Sequence, residues 1–186
     1  MSLIKLFETN KSGVNLALRV AVGAVMLPHG AQKLLGWFGG YGYSGTMQFF
    51  TETMGIPTAL AFLVIMAESV GALALIAGAF TRASAFGMAS VMAGAIVLSH
   101  WRHGFFINWF GAQGGEGFEF HLLILAVSAA LVISGGGLGS LDRLIARRLG
   151  RAQDPVRTPA SGGIGVLSGA SAKFVAAPEQ SGRQAA

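Results

Sequence analysis

Cysteine is absent from this chain, and charged residues are scarce. Without cysteine among its 186 residues, the protein can form no disulfide, thiolate zinc site, cysteine-ligated iron–sulfur cluster or c-type haem attachment. Charged residues make up 11% of the sequence, against about 25% in a typical soluble domain. Hydrophobic residues make up 53%, and the mean hydropathy is +0.60. This composition excludes an ordinary water-soluble domain, because too few polar groups are left to cover its surface.

Four apolar stretches have about the 20 residues that a helix needs to cross a bilayer. They cover residues 13–35, 57–80, 83–101 and 118–137. Pro57 suits the first turn of a helix, where its missing N–H costs nothing, and the glycines at 135–137 suit a helix end. We therefore predict an all-α fold. Residues 1–150 form an antiparallel four-transmembrane-helix bundle, and residues 151–186, rich in Gly, Ala, Ser, Pro and Gln, form a disordered C-terminal tail.

Basic residues are concentrated on one side of this bundle. The two connections on the other side, residues 36–56 and 102–117, contain Arg102 as their one Lys or Arg. Because cytoplasmic segments carry the excess of Lys and Arg, we predict both termini to be cytoplasmic. The apolar residues after Ser140 share one face of a short juxtamembrane helix, which we expect on the anionic inner leaflet: Leu141, Leu144, Ile145 and Leu149. The net charge of +5 belongs to these flanking segments, so it does not indicate a nucleic-acid partner.

Ionisable residues inside the apolar stretches are costly in a membrane and mark either a function or a structural pairing. At 1.5 Å per residue, five of them fall in the half of the bundle away from the cytoplasm: His29, Lys33, Glu68, His100 and Glu119. We expect His29 to pair with Glu68, and Lys33 with Glu119. Such a cluster suits proton handling or a quinone head group, because histidine titrates near neutral pH. The alternative is that these groups are ion pairs that fix the helix register.

Two other predictions concern charge and metals. Arg19, near the cytoplasmic end of the first helix, is interpreted as a structural ion-pair residue. The chain contains neither the His-Glu-x-x-His signature of zinc enzymes nor the Glu-x-x-His pairs of di-iron bundles, so we predict no metal site.

The non-cytoplasmic loops are rich in aromatic residues and glycine, with Trp37, Phe38 and Tyr41 in the first and Trp109 and Phe110 in the second. Two explanations stay open. The aromatic residues form a belt at the membrane interface, or the loops cover the bundle mouth and shield a ring-shaped ligand. Small residues at four-residue spacing, such as those at 67 and 71 or 74 and 78, predict close contacts between helices.

An ordered set of short motifs resembles the DoxX family of small four-helix bacterial membrane proteins. The set begins with Arg19, the run His-Gly-Ala-Gln-Lys-Leu at 29–34 and Gly-Trp-Phe-Gly-Gly at 36–40. It continues with Gly-Ile-Pro at 55–57, Glu68 before Gly71, and Gly-Ala-Phe-Thr-Arg at 78–82. It ends with His100, Gly104, Glu119 and the segment 135–142. One departure is Gly136, because the family often has Gly-Pro-Gly before Ser-Leu-Asp.

The resemblance implies more about function than the residues alone do. The family takes its name from a subunit of a thiosulfate:quinone oxidoreductase, and other members are linked to membrane oxidoreductase complexes and to oxidative-stress defence. It therefore implies a protein of the bacterial inner membrane, a quinone, and redox-protein partner subunits. The chain is expected to be a subunit in the lipid bilayer that does not bind nucleic acid, and it could also form a homo-oligomer. Any enzymatic activity would be that of a quinone-linked oxidoreductase subunit.

Three functions remain open at this point. The first is a redox-associated subunit that binds or positions a quinone at the charged cluster. The second is a non-catalytic membrane anchor or assembly subunit whose intramembrane charges are structural. The third is a small-molecule permease, which would need a dimer because four helices are few for a monomeric transporter.

Overall fold

The structure is a computed structural model that describes residues 7, 9 and 11–153, with backbone only for 149–153. It is all-α in this part of the chain, which confirms the predicted fold class. The helices are α1 (Gly13–Leu35), α2 (Gly42–Gln48), α3 (Thr58–Ala77), α4 (Thr81–Ala95), α5 (Glu119–Ser134) and α6 (Leu141–Gln153). The tail predicted over residues 151–186 lies outside the described residues from 154 onwards.

Two helices continue beyond their α-helical part. A π-helical turn, Phe49–Thr53, follows α2. A second π turn, Ile96–His100, and a 3₁₀ turn, Trp101–His103, follow α4. With these turns, α4 reaches beyond residue 101, where its apolar stretch was predicted to end.

Helices α1 and α3 pack most extensively on each other, as do α4 and α5, and α3 joins the two pairs through its contact with α4. The loop end of the bundle is the end where α1 and α4 finish, with the connections 36–57 and 104–118. The terminal end is the opposite one, with the start of α1, the turn between α3 and α4, and α6. The buried core between them is apolar, with Met26, Leu75, Met88 and Leu131 among its largest members.

Three of the four predicted spans have full spanning length and apolar composition: Gly13–Leu35, Thr58–Ala77 and Thr81–His103. The fourth, α5, has 16 residues. At 1.5 Å per residue it is about 24 Å long, shorter than the predicted 118–137 and than the about 30 Å of a bilayer core. Gly135, with φ at 77°, ends α5 before the predicted boundary.

Helices α1 and α3 approach each other closely at two glycines of α1. A Cβ atom on Gly30 would lie 2.3 Å from the carbonyl oxygen of Glu68, and one on Gly23 would lie 2.7 Å from that of Ala72. By contrast, a Cβ on Gly71 would meet nothing closer than the Met66 oxygen of its own helix, at 3.8 Å. The close packing of α1 on α3 therefore depends on Gly23 and Gly30, which the small-residue spacing did not single out.

Arg19 holds the terminal end together. Its side chain is buried, at 1% exposure. It donates hydrogen bonds to backbone carbonyl oxygens of Gly136 (2.9 Å), Leu75 (3.1 Å), Leu138 (3.2 Å) and Ile76. Two of these carbonyls belong to the last turn of α3, where the helix dipole favours a cation. The structural role predicted for Arg19 thus rests on hydrogen bonds to carbonyl groups, whereas the prediction was an ion pair.

Asp142 completes this arrangement from the first turn of α6. Its buried carboxylate accepts hydrogen bonds from the backbone N–H groups of Phe80 (2.6 Å) and Thr81 (2.8 Å). These are donors at the start of α4, which a helix leaves without intrahelical partners. The backbone N–H of Asp142 donates to the Gly78 carbonyl at 2.9 Å. The start of α6 is therefore fixed to the turn between α3 and α4.

Candidate functional site

A cavity of about 1280 Å³ lies between the helices and opens along α3 and α4. Residues of α1, α3, α4, α5 and both loop-end connections line it. Most of the lining is apolar, and the polar side chains include those of His29, Lys33, Glu68, His100 and His121. Typical ligand pockets have volumes of about 300–1,000 Å³, so this space exceeds what a small polar molecule fills.

The ion pair between Lys33 and Glu68 is the charged feature of the cavity wall. The Lys33 Nζ atom donates to Oε2 of Glu68. The Glu68 side chain is 6% exposed and that of Lys33 25% exposed. Since Gly30 brings the α1 backbone against the backbone of Glu68, a lysine one turn further along α1 reaches the carboxylate. The carboxylate is therefore neutralised within the bundle.

This pairing corrects both predicted pairs. Glu68 pairs with Lys33, where His29 was expected, and Lys33 does not pair with Glu119. The Glu119 carboxylate accepts a hydrogen bond from the backbone N–H of Ile107 at 3.0 Å. Its own backbone N–H donates to the Phe105 carbonyl at 2.9 Å. Glu119 thus fixes the connection 104–118 to the start of α5.

Two histidines meet at the loop end of the cavity. The ring centroids of His100, in the π turn after α4, and His121, in the first turn of α5, are 4.0 Å apart. His100 Nδ1 lies 2.9 Å from the backbone oxygen of Glu116. The Nδ1 atom of His121 is buried and has no hydrogen-bond partner within the described part of the chain. A buried unsatisfied polar atom is rare and calls for a partner such as water or a ligand.

His121 is the cavity residue that sequence reasoning missed. A signal was present, since His121, Ile124 and Ser128 are spaced as one helical face, and both Ile124 and Ser128 are buried. His29 also lines the cavity, and its ring centroid lies 6.2 Å from that of Phe120.

The aromatic residues of the two loop-end connections differ in their surroundings. Phe49 and Phe50 of the first connection, and Ile107 of the second, line the cavity. Trp109 and Phe110, at the tip of the second connection, are 77% and 95% exposed, as expected of an aromatic belt. The loop end of the cavity is therefore partly covered by residues of both connections.

Within the described residues, no group of three or more His, Cys, Asp or Glu side chains is placed to bind a metal ion. The ionisable groups that line the cavity are the Lys33–Glu68 ion pair, the Glu116 carboxylate and the imidazole rings of His29, His100 and His121. These can donate and accept hydrogen bonds and hold a proton, since neutral imidazole has one donor and one acceptor nitrogen.

The model of the DoxX family matches residues 14–101. Over this stretch the chain is similar to proteins of the DoxX family. The match runs from the first turn of α1 to the residue after His100, so it contains His29, Lys33, Glu68 and His100. The spanning-length helices, together with this similarity to the DoxX family, indicate a multi-pass membrane protein. Glu119 and His121 lie beyond the matched residues.

A relative in Bacillus subtilis (strain 168) carries the name "Putative oxidoreductase CatD". It is 28% identical over 130 residues, which are 70% of this chain and 85% of the relative. No solved structure matches the chain significantly.

Proposed function

We propose that this DoxX-like protein is the membrane subunit of an oxidoreductase system and holds a quinone head group in the cavity beside Lys33 and Glu68. The observation that carries the proposal is the buried ion pair in the wall of a large apolar cavity, with the ring pair of His100 and His121 at its loop end. The name of the Bacillus subtilis relative supports the redox assignment.

The residues present fit a quinone. A quinone head is flat and apolar on its faces and has two carbonyl oxygens that accept hydrogen bonds. An ammonium group has three donors, so Lys33 has donors to spare after its bond to Glu68. The Nδ1 atom of His121 also lacks a partner among the described residues. A bound quinone would supply two-electron chemistry coupled to protons, while Lys33, Glu68 and the histidines position the head and hold protons.

Electrons must then come from elsewhere. The chain has no cysteine and cannot build a cysteine-ligated cluster, so the proposal includes a partner protein that carries the redox centre. The proposal also places the protein in the bacterial plasma membrane with both termini cytoplasmic. The terminal end of the bundle carries Lys11, Arg82, Arg143, Arg147 and Arg148, in accordance with the excess of positive charge on cytoplasmic segments.

The test is quinone retention by the full-length protein purified in a mild detergent. We expect quinone to co-purify with the wild type, and Glu68→Gln and Lys33→Met each to lower its molar ratio to protein at least about tenfold, equivalent to about 1.4 kcal/mol. Glu52→Gln is the matched control, because Glu52 is an exposed carboxylate of the first connection that bonds to Gln48, and it should retain wild-type quinone.

The second candidate is a non-catalytic anchor subunit. It is favoured by the fact that Lys33 and Glu68 satisfy each other, as a purely structural pair would. Absence of quinone from folded wild-type protein, together with co-purification of a soluble oxidoreductase, would replace the quinone proposal with this one.

A further inference from the structure

The cavity continues far beyond its polar groups. Along α4 and its π turn, lining residues run from Ala83 to His100, a separation of 17 positions and about 25 Å at helical rise. The charged and imidazole groups lie between the loop end and the middle of the bundle, since Glu68 is halfway along α3. The lining at the turn between α3 and α4 has no ionisable side chain and is mostly apolar, with Ala74 and Phe80. The cavity is therefore a groove with one polar and one apolar end.

The groove is open because glycines face it. A Cβ atom on Gly94 would meet nothing within 4 Å, and one on Gly71 would meet only the Met66 oxygen of its own helix. Both residues line the groove. Leu60, Leu63 and Leu98 line it too and are more than half exposed, so the groove opens towards the surrounding lipid. A molecule can therefore enter it laterally from the bilayer.

The charges at the polar end disfavour a phosphate. Lys33 contributes +1, and Glu68 and Glu116 contribute −1 each, which gives a formal net charge of −1 with the histidines neutral. The positive charge of Lys33 is already engaged by Glu68. An anionic head group would thus meet net repulsion in a medium of low dielectric constant, where charges interact strongly. An uncharged head that accepts hydrogen bonds from Lys33 or an imidazole meets no such repulsion.

We infer that the groove selects an uncharged polar head carried on a long apolar chain, with the chain lying between α3 and α4 towards their connecting turn. This inference rests on the proposed quinone site and adds the part of the ligand that the site recognises. A small water-soluble quinone would leave most of the groove to lipid, whereas a polyprenyl quinone fills both ends.

The test compares two probes with the same head: ubiquinone with its full polyprenyl chain, and the same benzoquinone with a single prenyl unit. Full-length protein is loaded with each probe in mild detergent, washed by gel filtration, and extracted to measure quinone per protein. We expect the long-chain probe to be retained at least about fivefold better. Gly94→Leu and Gly71→Leu should remove this advantage, because the leucine side chain would take the space of the bound prenyl chain. Such overpacking costs about 1–3 kcal/mol, which corresponds to a factor of 5 or more in the binding equilibrium.

The matched control is Ala93→Leu, which adds the same side chain next to Gly94 at an exposed position of α4 that does not line the groove. It should retain both probes as the wild type does. Gly94→Ala adds one methyl group and should give a smaller loss, which keeps the test usable if a leucine variant misfolds.

The outcomes separate this inference from the proposed function. If the two probes are retained equally and both depend on Glu68, the inference that the groove binds a long apolar chain is overturned, but the proposed quinone site stands. Retention that is indifferent to Glu68→Gln would overturn the site itself. Stoichiometric phospholipid extracted from the wild type and lost in Gly94→Leu would show that phospholipid occupies the groove, and would also overturn the inference.

Discussion

Two buried charged residues of this protein are stabilised in different ways. Arg19 is surrounded by carbonyl oxygens of the backbone, which belong to the end of α3 and to the turn after α5. Glu68 depends on the side chain of Lys33. The first arrangement is part of the main-chain framework, and the second can be altered by a ligand that competes for the ammonium group.

Replacement of Arg19 should weaken the whole bundle. Arg19→Ala leaves the carbonyl groups of Leu75, Gly136 and Leu138 without this donor, and each buried unsatisfied group costs about 1–3 kcal/mol. We expect a loss of about 3–5 kcal/mol, measured by thermal unfolding in detergent. Arg19→Lys should recover only part of it, since an ammonium group lacks the planar fork of guanidinium. Arg102→Ala, at an exposed position, should change stability by less than about 0.5 kcal/mol.

The pair at the cavity should respond asymmetrically. Lys33→Met leaves a carboxylate that is 6% exposed without its partner, at a cost of about 3–5 kcal/mol. Glu68→Gln should cost less, because the Lys33 side chain is 25% exposed and can be solvated. The double variant should be more stable than Lys33→Met alone. Strict additivity in the double variant would contradict a direct ion pair, and equal costs for the single variants would contradict the asymmetry expected from their different exposure.

The sequence located the charged residues of the site but not their partners. Depth along each helix follows from residue number, so Lys33 and Glu68 were placed in the same half of the bundle. Which side chains face each other depends on helix rotation and crossing, and these are determined here by the contact of Gly30 with the backbone of Glu68. The π turn Ile96–His100 also rotates His100 relative to a regular helix, and brings it to His121.

At the scale of elements, α1 and α3 form the most tightly packed pair and α3 and α4 leave the groove between them. Gly23 and Gly30 allow the first contact, and Gly71 and Gly94 face the second. The same residue type therefore has opposite effects on neighbouring helix pairs. Glycine is abundant in the sequence, but only the arrangement of the helices shows which glycines contact the backbone of a neighbouring helix.

Alanine substitution should separate these two kinds of glycine. Gly30→Ala places a Cβ atom 2.3 Å from the Glu68 oxygen and 2.6 Å from the Ser69 Cα, and backbone atoms cannot rotate away. We expect a loss towards the upper end of the 1–3 kcal/mol typical of overpacking, thus about 3 kcal/mol. Gly71→Ala meets no such contact and should leave stability unchanged or raise it by up to about 1 kcal/mol. Thermal unfolding of both variants in one detergent gives the comparison.

At the scale of the whole molecule, the bundle has two unlike ends. The terminal end is closed by Arg19 and Asp142 through hydrogen bonds to the backbone. The loop end carries the two connections that partly cover the cavity and the exposed aromatic residues Trp109 and Phe110. The sequence predicted this polarity from the distribution of basic residues, whereas Asp142 as the cap of α4 was not predicted, because its donors are 61 and 62 positions away.

The absence of cysteine makes the orientation directly measurable. A membrane-impermeant maleimide should label Ala112→Cys, in the second connection, on intact bacterial spheroplasts. Ser161→Cys, beyond α6, should be labelled only after lysis, and the unsubstituted chain provides a background without thiols. Labelling of Ser161→Cys on intact spheroplasts would reverse the proposed orientation.

The contact of Gly30 with Glu68 limits which parts of the cavity can change between related proteins. The carboxylate is anchored to a wall made of two polypeptide backbones, which side-chain replacement elsewhere does not move. Substitutions on the facing surfaces of α4 and α5 can therefore reshape the space around a ligand while its charged reference point stays in place. Related proteins could thus bind different head groups while the crossing of α1 and α3 stays the same.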